Sequence, residues 1–130
     1  MIGASKKVFR KPIPKKIREQ VYKKYNGHCA YCGCEIDYKD MQVDHVISVY
    51  GKDGSNDIEN LMPTCRMCNF YKSTFSIEVF RKHLETLHER LQKPFIYRLA
   101  LKYGLISEYK KEVKFYFEKE KKQDGIKRNN

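Results

Sequence analysis

No run of about 18 apolar residues occurs in this chain, so no segment of it reads as a membrane-spanning helix. Acid is missing from its start: "MIGASKKVFRKPIPKK" is basic throughout and broken by two prolines, without the single apolar stretch of an export leader. Export is therefore not expected, and the cytosol is the expected compartment. No internal repeat is present. Nor do the five cysteines make an even set. An odd count fits a closed disulfide framework poorly, and in a reducing compartment the thiols stay available to a metal.

What the chain does have is positive charge. Its 130 residues include 27 Lys and Arg against 16 Asp and Glu, a formal net charge of +11. Such a surface suits a polyanionic partner, nucleic acid ahead of an acidic membrane surface. The charge is uneven: residues 1–28 hold nine Lys/Arg against one acid, residues 29–75 four against seven, residues 76–109 six against four, and residues 110–130 eight against four. Basic ends thus flank an acidic middle. The length suits one compact domain, and with 33% of residues charged the core is expected to be small, so that a metal is a useful staple.

Ile13, Ile17, Val21 and Tyr25 recur every four residues in "IPKKIREQVYKKY", which predicts an amphipathic helix. Pro14 suits its first turn and Asn26-Gly27 its end. The basic residues on its outer face are either a solvated surface or phosphate contacts. "HCAYCGC" is a tight cysteine turn, "QVDHVISVY" from Gln42 to Tyr50 an alternating strand, and "GKDGSND" a loop. A short helix is predicted from the second cysteine pair to about Lys72, and a longer one over "IEVFRKHLETLHERL" behind a Ser76 cap. His83 and His88, five positions apart among charged residues, do not share a helix face and read as solvated side chains. Pro94 opens a further helix ending at Gly104, and "EVKFYFEKE" alternates as a strand does. The 7 Phe and 10 Tyr serve either a small core or the stacking of bases.

Cys29-x-x-Cys32 and Cys65-x-x-Cys68 are two pairs of equal spacing, each in turn-forming sequence. Together they offer four thiolates to one tetrahedral Zn²⁺ in a closed structural site. Such an ion has no open coordination position for hydrolysis, so any chemistry must sit elsewhere. Cys34 is left over and reads as a free thiol near that site. The spacer between the pairs is long enough to hold structure of its own. It contains Asp44-His45 and Asn60, and Asn69 follows directly after the last cysteine.

These elements carry a resemblance. "CAYCG…VDHVISVYGKDGSNDIENLMPTCRMCNFYKS", about residues 28–75, resembles the HNH endonuclease family in its zinc-knuckled phage and bacterial branch, and the helix upstream is similar to that branch too. The resemblance implies an α+β fold: a small ββα-metal (His-Me finger) core with a four-cysteine zinc knuckle, flanked by an N-terminal helix and C-terminal helices. Charge and composition add a basic arm over 1–12 and a disordered tail over 123–130 around a single nuclease domain over 13–122, whose core at 28–75 carries the resemblance. By the same resemblance His45 is the general base, Asn60 the amide that orients loop and base, and Asp44 with Asn69 the ligands of a catalytic ion. Asn69 stands where the strict family pattern has histidine, which makes this a His-Asn-Asn variant. One carboxylate and one amide oxygen are hard donors, so Mg²⁺ or Mn²⁺ is the expected ion.

The activity so implied is nicking of double-stranded DNA with 5′-phosphate and 3′-hydroxyl products, by a monomer or weak homodimer in a bacterial host cell. A phage setting beside the packaging terminase is suggested by analogy alone. Phosphate attraction is expected from Lys6, Lys7, Arg10, Lys11, Lys15 and Lys16, with Arg66 and Lys72 nearer the site. The competing class is an inactive protein that keeps the zinc-stapled fold for binding nucleic acid or inhibiting another nuclease. Asp44 and His45 pose one geometric difficulty: as neighbours on a period-two strand they start on opposite faces, so where both approach one phosphate either the strand twists or bulges, or one of them acts by its backbone or through the ion.

Overall fold

The structure, a computed structural model, describes residues 12–50 and 53–119. Its contacts gather into two compact units, the first comprising the chain up to Ile77 and again from Lys114, the second Glu78–Val113. The sequence reading placed one domain over 13–122. Among the described residues no helix is long and apolar enough to cross a membrane.

In the first unit, helix α1 (Lys15–Lys23) starts at Pro14, whose missing N–H costs nothing at a helix N-terminus and whose carbonyl accepts from the Arg18 amide at 2.9 Å. It ends where Asn26 (φ 53°) and Gly27 (φ 80°) turn left-handed; a side chain at Gly27 would sit 2.9 Å from the Tyr22 hydroxyl. The apolar stripe buries Val21 against Met41 and Leu61, with Ile17, Ile36 and Val43 packed around them. Each fully buried aliphatic side chain of this kind contributes roughly 1.5–3 kcal/mol. The cluster is small, as the composition predicts.

Two strands, β1 (Gln42–His45) and β2 (Leu61–Thr64), pair antiparallel with Asp44 opposite Met62 and His45 opposite Leu61. The expected strand to Tyr50 is thus cut to four residues. It stops because Asn60 takes over the pairing: its carbonyl accepts from the Val46 amide at 2.9 Å, and its side-chain amide binds both backbone groups of Ile47. Helix α2 (Arg66–Lys72) follows β2 directly, with Cys65 as its N-cap. Sheet and helix form the α+β core expected from the sequence.

A four-sulfur cluster supplements the small core. The Sγ atoms of Cys29, Cys32, Cys65 and Cys68 all lie within 4.8 Å of one another. Cys32 and Cys65 are 3.8 Å apart, which is the edge of a tetrahedron with metal–sulfur bonds of about 2.3 Å. Each pair also turns an amide toward its first sulfur, Tyr31 N–H to Cys29 at 3.4 Å and Cys68 N–H to Cys65 at 3.5 Å. Such donors favour thiolates. A hydrogen bond with Cys68 holds the Cys29 thiol down, and the same contact together with burial pushes the Cys68 thiol up. The set fits a zinc knuckle. Cys34 is exposed, and desolvation together with the neighbouring Cys32 and Cys65 pushes its thiol up.

The predicted strand in "EVKFYFEKE" is not formed. Residues 116–119 make a helical turn instead, in which Phe115 and Phe117 stack at 6.0 Å rather than alternating across a sheet. Both rings meet Tyr31 edge-on, and the Tyr116 and Phe117 amides donate to the Tyr31 and Ala30 carbonyls. Period-two apolar spacing cannot distinguish these outcomes without a partner strand.

The second unit holds helices α3 (Ile77–Glu85, beginning one residue before the boundary), α4 (Leu87–Leu91) and α5 (Phe95–Lys102). The single helix expected over 77–91 breaks at Thr86, whose ψ of 1° leaves the helical range and whose hydroxyl donates to the His83 carbonyl. Pro94 and Gly104 bound α5 as expected. His88 corrects the solvated reading: Nε2 donates to the Tyr109 carbonyl at 2.9 Å, and Nδ1 lies 3.7 Å from Glu108.

Two outcomes test this architecture. Phe115, 2% exposed against Tyr31, is a core residue of the first unit although it lies far along the chain, so Phe115→Ala should destabilise that unit by about 3–5 kcal/mol in denaturant unfolding. Cys65→Ser should reduce bound zinc from one ion per chain to near none and abolish cooperative unfolding, as read by metal analysis and circular dichroism, because binding free energy at such a site is folding free energy.

Candidate active site

Helix α2 lies along β1 so that residues three apart on the helix meet residues two apart on the strand. Asn69 and Lys72 share one helix face, Gln42 and Asp44 one strand face. Asn69 Nδ2 donates to Gln42 Oε1 at 2.6 Å, and Lys72 Nζ reaches Asp44 Oδ2 at 3.0 Å and the His45 carbonyl at 3.1 Å. Lys72 was expected on the phosphate-binding surface. The structure corrects this: its side chain is 0% exposed, and its ammonium is spent on the strand.

Asp44 has a second partner on the same oxygen, the Tyr31 hydroxyl, which donates at 2.6 Å. Burial pushes the Asp44 carboxyl above its ordinary value, against the opposing pull of Lys72 and of the Tyr31 hydrogen bond. Burial and the Asp44 charge push the Tyr31 phenol up as well, so it remains a protonated donor. These contacts keep an anionic carboxylate tolerable where water is excluded.

His45 is the last residue of β1, and the pairing runs to it in regular register without a bulge. Its Nε2 lies 2.7 Å from Asn56 Oδ1. The loop behind it is closed by Asn60, whose Oδ1 accepts from the Ile47 amide and whose Nδ2 donates to the Ile47 and Ser55 carbonyls at 3.0 and 2.8 Å. Gly54 completes the closure by donating to the Ser48 carbonyl, and a side chain there would collide with the Ile47 and Ser48 backbone. A cleft of about 190 Å³ results, lined by Asp44, His45, Ser48, Tyr50 and Asn69 among others.

Of the expected site residues, Asp44, His45 and Asn69 come together at this cleft, and Asn60 sits in the loop behind them. Lys15, Lys16 and Arg66 are exposed. Lys6, Lys7, Arg10 and Lys11 lie outside the described residues. Three partners were not anticipated. Asn56 sat in a stretch read only as turn chemistry, Tyr31 was read only as part of the cysteine turn, and Lys72 was read as a surface cation.

Comparison with known proteins bears on the same segment. The family model described as HNH endonuclease matches residues 29–75. Over 66 residues the chain is 32% identical to the CRISPR-associated endonuclease Cas9 of Corynebacterium diphtheriae, covering 51% of this chain and 6% of that protein. Over 61 residues it is 36% identical to YoqL, an HNH endonuclease candidate derived from the SPbeta prophage of Bacillus subtilis, covering 42% of this chain and 26% of that protein. Among solved structures, the Type II-C Cas9 enzyme from Actinomyces naeslundii aligns at a TM-score of 0.49 and 26% identity, over 63% of this chain and 10% of that one. The chain therefore spans only a minor part of the length of each relative. The family match encloses both cysteine pairs, Asp44, His45, Asn60 and Asn69, so residues 29–75 are the part of this chain that matches the HNH endonuclease family.

Proposed function

We propose that the chain is a metal-dependent DNA endonuclease in which His45 is the general base. The observation that supports this reading is the meeting of Asp44, His45 and Asn69 at one cleft, with Asn60 tying down the loop behind them. The Asn56 side-chain oxygen can only accept, so Nε2 of His45 carries the proton and Nδ1 keeps the lone pair that takes a proton from water. Asn60 limits the freedom of the loop and so of that imidazole. Asp44 and the Asn69 amide oxygen, both hard donors, suit Mg²⁺ or Mn²⁺. That ion, when bound, supplies Lewis-acid stabilisation of the phosphate and of the leaving 3′ oxygen.

Products with 5′-phosphate and 3′-hydroxyl ends follow from that polarity. A single cleft of this kind cuts one strand, so duplex DNA is nicked and a double-strand break needs a second event or a weak homodimer. Exposed Lys15, Lys16 and Arg66, together with the basic arm, supply the phosphate attraction that an acidic middle cannot. A prophage origin in a bacterial cytoplasm fits the prophage-derived relative.

The test is conversion of supercoiled plasmid to the nicked form with Mg²⁺ or Mn²⁺, abolished by chelator. Protein that shifts DNA without cutting it in any divalent ion overturns the reading. His45→Ala should stay folded and zinc-loaded, bind DNA as before and lose about 10²–10⁴-fold in cleavage rate. Asn56→Ala tests the orientation: it removes the acceptor on Nε2 that holds the ring, so cleavage should slow while DNA binding and zinc content stay unchanged.

A further inference from the structure

Asp44 is the single carboxylate among the residues lining the cleft, and both of its described contacts fall on Oδ2. A carboxylate pinned by one oxygen has lost its rotation and presents the other in a set direction. What sets that direction is largely Tyr31. Its ring is 2% exposed between Phe115, at 5.3 Å and 69°, and Phe117, at 6.1 Å and 78°. Its backbone is held at both ends, the amide by Cys29 Sγ and the carbonyl by the Tyr116 amide. Tyr31 also lies between two ligands of the four-sulfur cluster, Cys29 and Cys32. The hydroxyl that touches Asp44 is therefore carried by the knuckle.

We propose that Tyr31 is a positioning residue through which the four-cysteine centre sets the affinity of the cleft for its divalent ion. The proposal rests on the reading of Asp44 as a ligand of that ion. It makes the two metal sites thermodynamically linked: order imposed at the sulfurs is transmitted by one buried side chain to the carboxylate, and the linkage holds in both directions. Outer partners that orient a ligand typically govern metal affinity by 10–100-fold. Lys72 holds the same oxygen from α2, and Tyr31 supplies the restraint that comes from the knuckle side.

The experiment measures Mn²⁺ binding by electron paramagnetic resonance and calorimetry on zinc-loaded wild type and Tyr31→Phe, without DNA. The variant should keep one zinc per chain, bind Mn²⁺ about tenfold more weakly, and recover near-wild-type kcat once Mn²⁺ is saturating. A role confined to packing would leave the Mn²⁺ affinity unchanged, and that result in a folded, zinc-loaded variant overturns the proposal. If Tyr31→Phe does not fold, wild type with Co²⁺ at the four sulfurs carries the test. Its d–d bands should shift as Mg²⁺ fills the cleft, and bands that stay still overturn the proposal. Wild type that cleaves DNA but shows neither effect removes the linkage alone. Wild type that binds no Mn²⁺ removes the proposed catalytic site and the linkage with it.

Discussion

The first unit is organised around an ion pair that has left water. Lys72 is 0% exposed and Asp44 5%, and bringing two such charges inside costs several kcal/mol for each ion. Their mutual attraction offsets that only if the remaining donors and acceptors are also satisfied. Here they are supplied by two different parts of the chain: the His45 carbonyl takes a second Lys72 proton, and the Tyr31 hydroxyl takes the same Asp44 oxygen. The pair consequently ties α2, β1 and the cysteine knuckle together at one point. An apolar pair of similar volume could hold the same elements with comparable stability. It could not leave an ionised carboxylate at the edge of a cleft.

The same arrangement explains the unusual division of charge. Four thiolates on a divalent ion leave two negative charges, and Asp44 adds one that Lys72 cancels, so the middle of the chain has no positive surplus for a phosphate. Lys24, another basic residue near this sheet, is likewise turned inward, its ammonium bound to the Ile58 and Leu61 carbonyls. Arg18 is spent on the Tyr38 and Met41 carbonyls. Two cations of the basic first segment, Arg18 and Lys24, thus brace the fold. Those that remain for a polyanion are the exposed ones, among them Lys15, Lys16 and Arg66.

Stability and the shape of the cleft share residues here to a degree that a larger core would not require. Asn60 ends the strand pairing and closes the loop behind the histidine in the same set of hydrogen bonds. Cys65 is a member of the sulfur cluster and the N-cap of the helix that carries Asn69. Tyr31 packs on Phe115 and reaches Asp44. A domain with few buried apolar side chains gains rigidity by such double use.

Local sequence determined the parts whose chemistry depends on spacing along the chain. Two CxxC pairs place sulfurs within reach of one ion, four-residue apolar spacing makes α1, Asn26-Gly27 ends it, and the residue types Asp44, His45, Asn60 and Asn69 have few roles that suit them together. The alternations in "QVDHVISVY" and "EVKFYFEKE" were legible as apolar patterns but not as strands of a given length, because a strand exists only where a partner supplies its hydrogen bonds. Only the tertiary structure decided that Lys72 turns inward, since a lysine is ordinarily exposed and nothing near it in sequence announces a buried carboxylate 28 positions earlier. Tyr31 and Asn56 were hidden for the same reason. A side chain's role in a site is set by what lies within about 3 Å of its polar atom, and here those neighbours come from distant segments or across a loop.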